Sequence, residues 1–242
     1  MPNAIVAGPT NLISFGAHNF IGNGFTNKIN TINTSNYNSI LNGCRNCIDT
    51  SLPAIVGLQL CGGNTISGGY TNLIAAQETN SFIGAGRCNC IQTTGNEFNS
   101  GNNSMLSAYQ SCIIGQTWGS TMVSAHNGCI CNGFNAFIGG GDYNCIVGPA
   151  PGNPVVHSSI LGGQCHRPYS SCAAIVGGDC NRICLGSPGS TIGGGCCNMI
   201  CSTSNYSFIG GGRNNTTSGC LTTIGGGIHS IFGGAFLSDH LY

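Results

Sequence analysis

The chain has 242 residues, a formal net charge of zero, 5% charged residues, 40% apolar residues and 41 glycines. A typical globular domain carries about 25% charged residues, and a disordered chain is poor in apolar ones, so the composition fits neither class. The six Lys and Arg are too scattered to form a nucleic-acid surface, and no stretch approaches the roughly 20 apolar residues of a membrane helix.

The predicted elements follow one register from the N-terminus. With Ile5 as position zero, Asn11 falls at plus six and Ile13 at plus eight. Ile21 repeats the pattern with Asn27 and Ile29, and Ile40 with Asn46 and Ile48. Ile55 is the next anchor, and the 28 residues from there to Ile83 hold a degenerate coil around Ile66 and Ile74. Ile83 carries Asn89 and Ile91, Met105 carries Ile113, Met122 carries Ile130, and Ile138 carries Asn144 and Ile146. Ile160 is followed by His166 and Pro168; proline cannot donate to a strand ladder, so a bulge is expected there. Ile175 brings Asn181 and Ile183, Ile192 brings Asn198 and Ile200, Ile209 brings Asn215, and Ile224 is the last anchor. Thr93–Ser104 and Gly148–His157 read as loops leaving the repeat.

Coils of 15 to 22 residues are too short for paired helices. Two isolated Ile positions separated by glycines fit one turn of a β-solenoid. The predicted fold is an all-β parallel solenoid (a β-roll or β-helix) of about 14 coils, on the order of 65 Å long. Residues 1–230 form one repeat domain, less regular over 1–135 and regular over 136–230, with 231–242 as a cap or assembly segment. The glycines after each anchor supply the positive φ of a tight corner. Side-chain alternation then points plus six and plus eight inward and plus five, seven and nine outward. The charges test this register independently. Arg87, Asp142, Asp179 and Arg213 fall at plus four, Arg45 at plus five, Lys28 and Arg182 at plus seven, and Asp49 at plus nine. None falls at an inward position, where an unpaired charge is costly. Inward Asn suits a stack, because an amide both donates and accepts and can bond to its copy in the next coil. The core Asn column is Asn11, Asn27, Asn46, Asn89, Asn144, Asn181, Asn198 and Asn215.

Phe137-Ile138-Gly139-Gly140-Gly141-Asp142-Tyr143-Asn144-Cys145-Ile146 and its copies at Thr191–Ile200 and Phe208–Asn215 resemble the head repeats of trimeric autotransporter adhesins. They also resemble repeats in phage and large-virus tail or surface fibres. The resemblance implies a homotrimeric β-roll projecting from a cell or virion, with a surface receptor or glycan as partner. Its cysteine content, uneven repeat and lack of a coiled-coil stalk depart from that pattern.

The 17 cysteines are an odd number, so they cannot all pair within one chain. Cys47, Cys90, Cys112, Cys129 and Cys145 fall at plus seven, Cys131, Cys184 and Cys201 at plus nine, and Cys88, Cys165, Cys180 and Cys197 at plus five. These twelve line one outward side as cross-link or interface candidates. Three readings remain open: disulfides between coils or chains, a packing interface of small apolar thiols, and metal binding. The third is the weakest on strand geometry, since zinc usually takes separated Cys pairs on loops, and no metal or cofactor is expected. No catalytic constellation emerges. Cys165 and His166, as adjacent strand residues, point to opposite faces. The expectation is a structural or adhesive fibre subunit that partners itself on an extracellular appendage or virion surface, with no visible secretory signal, no membrane insertion and no enzymatic role. An ice-binding or other surface-binding solenoid is the alternative, and a polysaccharide-active enzyme is weaker for want of clustered acids.

Overall fold

A computed structural model of the chain describes residues 3–31, 37–50, 62–76, 80–93, 101–149 and 153–233. They form an all-β parallel solenoid of about 12 turns, with no helix among the described residues. Strands centred on the zero positions build one 13-stranded sheet, from Ala4–Ile5 to Thr223–Ile224. The turn count falls below the expected fourteen because Ser39–Ile40 pairs directly with Thr65–Ile66. Ile66 therefore takes the anchor place expected of Ile55, and Ile74 pairs with Ile48 at plus eight. Ile55 lies outside the described residues. A spacing of about 4.8 Å makes the rod roughly 58 Å long.

The plus-seven to plus-nine segments form a second wall. It is an eight-stranded sheet from Leu12–Ser14 to Cys145–Val147, followed by a five-stranded sheet from Arg167–Pro168 to Ile231–Phe232. The division falls at Pro168, which stands at plus eight without an N–H. The expected bulge is absent: Ile160 pairs with Ile175, Pro168 pairs with Ile183, and His166 is fully buried. Pro168 is itself buried and takes the isoleucine place in the plus-eight core column, while Ile160 and Ile175 stay fully buried on either side. The Ile160 coil is therefore a seam in the second wall. A third wall runs along plus four, where parallel bridges link Phe25, Cys44, Tyr70 and Arg87 and, further on, Asp142, Gln164, Asp179, Cys196, Arg213 and Ile228.

Inside, from the Ile21 coil onward, the Ile columns at zero and plus eight are closed to solvent, as at Ile21, Ile29, Ile138 and Ile146, whereas Ile5 at the N-terminal end is exposed. Asn fills plus six between them. Asn198 Nδ2 donates to Gly194 O (2.9 Å) and to Gly212 O one coil on (3.0 Å), while its Oδ1 accepts from Asn215 N–H (3.0 Å). The same connections recur at Asn27, Asn46 and Asn72, so each side chain closes its own corner and holds the next. Asn72 belongs to this column through the Ile66 anchor. The column requires glycine at plus three. Gly212 has φ +88°, and a Cβ there would lie 2.1 Å from Gly227 O and 2.6 Å from Asn215 Nδ2. Where plus six is Ser111 or Gly128, plus three becomes the buried Ala108 or Ala125 and the anchors become Met105 and Met122. Apolar volume replaces the missing amide at mid-rod.

A second polar column runs at minus two. Asn38 N–H donates to Asn19 Oδ1, Asn64 N–H to Asn38 Oδ1, and Ser81 N–H to Asn64 Oδ1. Towards the C-terminus serine takes over, with Ser207 N–H donating to Ser190 Oγ. Of the two expected loops, residues 94–100 and 150–152 lie outside the described range. Val155–Val156 instead form a strand paired with Gly133–Phe134, and Val155 is buried. Ile231–Phe232 pair with Thr216–Thr217, and the rest of the expected terminal segment, from residue 234, lies outside the described range.

Candidate functional site

A rod of this kind presents outward columns, and its surface chemistry is set by which residue types share one. The outer face of the 13-stranded sheet consists of the positions flanking each anchor. Over the described strands these are only Ala, Val, Phe, Gly, Ser, Leu and Thr. All the charged residues in the described range lie on the other two walls and their corners. Phe20, Phe82, Phe137 and Phe208 precede anchors whose following residue is glycine, and each ring lies along that glycine. A Cβ at Gly84 would sit 3.2 Å from both Phe82 Cε1 and Leu106 Cδ2, so a ring from one coil and a leucine from the next cover the bare backbone together. Leu41, Leu106, Leu161 and Val176 on this face are between 39% and 54% exposed. The sequence expectation put an interface on the cysteine side; the freedom of this sheet face from charge is also visible in the sequence.

The twelve predicted cysteines fall into two structural environments. Cys47, Cys90, Cys112, Cys129 and Cys145 at plus seven lie on strands of the second wall, as does Cys131 at plus nine. Cys184 and Cys201 directly follow strands Arg182–Ile183 and Met199–Ile200. Cys90, Cys112, Cys129 and Cys145 pair in register through four successive coils. The Cys112 and Cys129 sulfurs lie 3.3 Å apart. Contact with Cys112 and then Cys145 holds the Cys129 thiol far above its usual range, whereas contact with Cys129 lowers both neighbours. Burial, reinforced by Asp49, pushes Cys47 up to about 11.

Cys88, Cys165, Cys180 and Cys197 are not on a strand. They occupy left-handed corners with φ of 58°, 57°, 54° and 58°. Plus five therefore continues the turn, and the strand argument against metal binding does not reach these residues. Cys165 Sγ, Cys180 Sγ and an Asp179 carboxylate oxygen all lie within 4.8 Å of one another. Asp179, beside the Cys180 thiol, pushes it up to about 12. One coil further, the sulfurs of Cys196 and Cys197 are 3.3 Å apart. Asp179 was not among the sequence candidates, because a lone Asp at plus four gave no pattern, whereas the adjacent Cys196 and Cys197 were visible as a thiolate pair.

His166 replaces Asn in the core column. Its Nδ1 accepts from Asn181 N–H at 3.2 Å, which places the ring proton on Nε2, and burial lowers its pKa from the ordinary value. Cys165 is part-exposed and His166 fully buried, so a corner separates the two side chains. On the third wall Arg87 lies over Tyr70 and Tyr109, and His126 Nδ1 is 3.0 Å from Asp142 Oδ1. These are exposed contacts along one column, with the ordinary small energies of surface pairs. No protein-family model matches this chain, and no curated protein matches it.

Proposed function

We propose that this protein is a structural rod that packs laterally against copies of itself, forming a trimer or filament on an extracellular appendage or virion surface. One observation carries the reading: the outer face of the 13-stranded sheet has no charged residue over its described length and mixes Phe, Leu, Val and Ala with Ser and Thr. Charged side chains are normally found at solvent-exposed positions, so a long face without any is unusual for a surface left to water. An uncharged face with bulky apolar side chains fits a partner with the same repeat, because both surfaces share one axial spacing. A rod held by side-chain ladders rather than by a thick core also suits a load-bearing element. The ice-binding alternative needs an unbroken row of hydroxyls, and four phenylalanines interrupt the one on this face.

Light scattering on the reduced, purified chain tests the proposal. Assembly larger than a 24.6 kDa monomer is expected. Phe137→Lys with Leu161→Lys, two outward changes on adjacent coils, is expected to yield monomers with an unchanged far-UV spectrum. A wild-type chain that remains monomeric at high concentration refutes the reading.

A further inference from the structure

The cysteine corner at Cys165, Asp179 and Cys180 lies beside the seam coil. The second wall splits before this coil, between Cys145–Val147 and Arg167–Pro168. Cys165 belongs to the seam coil, while Asp179 and Cys180 belong to the next. The backbone that presents them is fixed: Cys165 N–H donates to Asp142 O, Cys180 N–H to Gln164 O and Cys197 N–H to Asp179 O, each at 2.9 Å. Gln164, Asp179 and Cys196 are joined by successive parallel bridges. The three corner cysteines share one left-handed conformation. Their side chains therefore leave successive coils in the same direction.

We infer that Cys165, Asp179 and Cys180 bind a thiophilic divalent cation such as zinc, with the fourth position left to solvent, and that the ion clips the seam coil to its neighbour. Metal–sulfur bonds of about 2.3 Å in a tetrahedral site set two thiolates roughly 3.8 Å apart. The present separations, within 4.8 Å, exceed that value by no more than about 1 Å. Two thiolates and a carboxylate form a soft, anionic donor set that suits zinc over magnesium or calcium. Cys180 and Asp179 are exposed, so the ion enters without opening the rod. The in-register thiols at Cys90, Cys112, Cys129 and Cys145 lack a carboxylate in the same arrangement. They form a line rather than a cluster. This inference is independent of lateral self-association, because the site lies on a corner away from the uncharged face.

The test is a zinc titration of the full-length, reduced chain in competition with a chromogenic chelator, paired with thermal melts. One tight equivalent and a metal-dependent rise in melting temperature are expected. Cys165→Ser with Cys180→Ser is expected to weaken that equivalent by at least a hundredfold and abolish the rise, and Asp179→Asn to weaken it by about tenfold. Zinc-free melting should stay unchanged in both variants. Cys112→Ser with Cys129→Ser is expected to leave both readouts intact. Tight binding that survives in the corner variants, or that is lost in the strand variant instead, overturns the inference; so does the absence of any tight equivalent.

Discussion

Asn198→Ala tests the internal architecture most directly. The wild-type side chain makes three bonds, and their loss is unequal. Gly212 O also accepts from Cys196 N–H at 2.9 Å, so it keeps a partner when the amide is removed. Gly194 O loses its side-chain donor. Asn215 N–H loses the Asn198 Oδ1 acceptor and is stranded in the core, where Asn215 is fully buried. A buried orphan donor costs about 1–3 kcal/mol and each of the other two bonds about 0.5–1.5 kcal/mol, which together give about 4 kcal/mol. That is a large part of the 5–15 kcal/mol typical of a domain. Because a solenoid coil touches only its neighbours, the loss should loosen the coils around Ile192 and Ile209 first. Urea unfolding followed by circular dichroism measures the total, and hydrogen exchange at the Asn215 amide locates it. Asn198→Asp separates donor from acceptor: it keeps the oxygen facing Asn215 N–H but turns an oxygen towards the Gly194 and Gly212 carbonyls. It should be at least as damaging as alanine at neutral pH and recover partly in acid, where the protonated carboxyl can donate again. An alanine variant within about 1 kcal/mol of wild type, with an unchanged Asn215 exchange rate, would show that the column is incidental.

Gly212→Ala should destabilise the rod by more than about 2 kcal/mol in the same urea assay, since it combines φ +88° with a Cβ 2.1 Å from Gly227 O. Its neighbour Gly211 meets nothing within 4 Å, so Gly211→Ala should change stability by less than about 0.5 kcal/mol. Brief iodoacetamide labelling near pH 8, read by mass spectrometry, should modify Cys112 and Cys145 before Cys129 and Cys47, following the directions of their shifts. Equal labelling would contradict this assignment. The Cys47 thiol has a folded-state pKa raised to about 11 from 9.0, so its contribution is complete below pH 9 and is lost as pH rises towards 11. Melts across that window should fall less steeply for Cys47→Ser than for wild type.

The parts of this fold that could be read from the sequence are those where one residue type recurs because one geometry demands it. Ile at zero and plus eight, Asn at plus six and Gly at plus three are coupled by the bonds around Asn198, so they recur together. The minus-two column escaped because its requirement is weaker. Asn19 and Asn38, Ser81 and Ser120, and Ala136 all fit it, and the residue identity drifts along the rod. Ile55 was mistaken for an anchor because the insertion before Ile66 contains an isoleucine of its own, and spacing alone cannot choose between them. At plus five, strand alternation was carried too far along the chain. No Ile, Val or Leu occurs at plus five, which is a faint trace of the left-handed corner, but Thr26, Arg45, Cys88 and Tyr143 share nothing else.

That corner changes what the cysteines can do. On the second wall, in-register cysteines stand on strands about 4.8 Å apart in a line, and each meets at most two others. At the left-handed corner the preceding residue also faces outward, so plus four and plus five of one coil meet plus five of the last. Three ligating groups then converge from only two coils, as Cys165, Asp179 and Cys180 do. Equal cysteine content thus gives a line on one surface and a cluster on another. The cluster sits beside the coil where Pro168 has removed a ladder bond and the second wall is interrupted, so a metal bound there would tie that coil to the next.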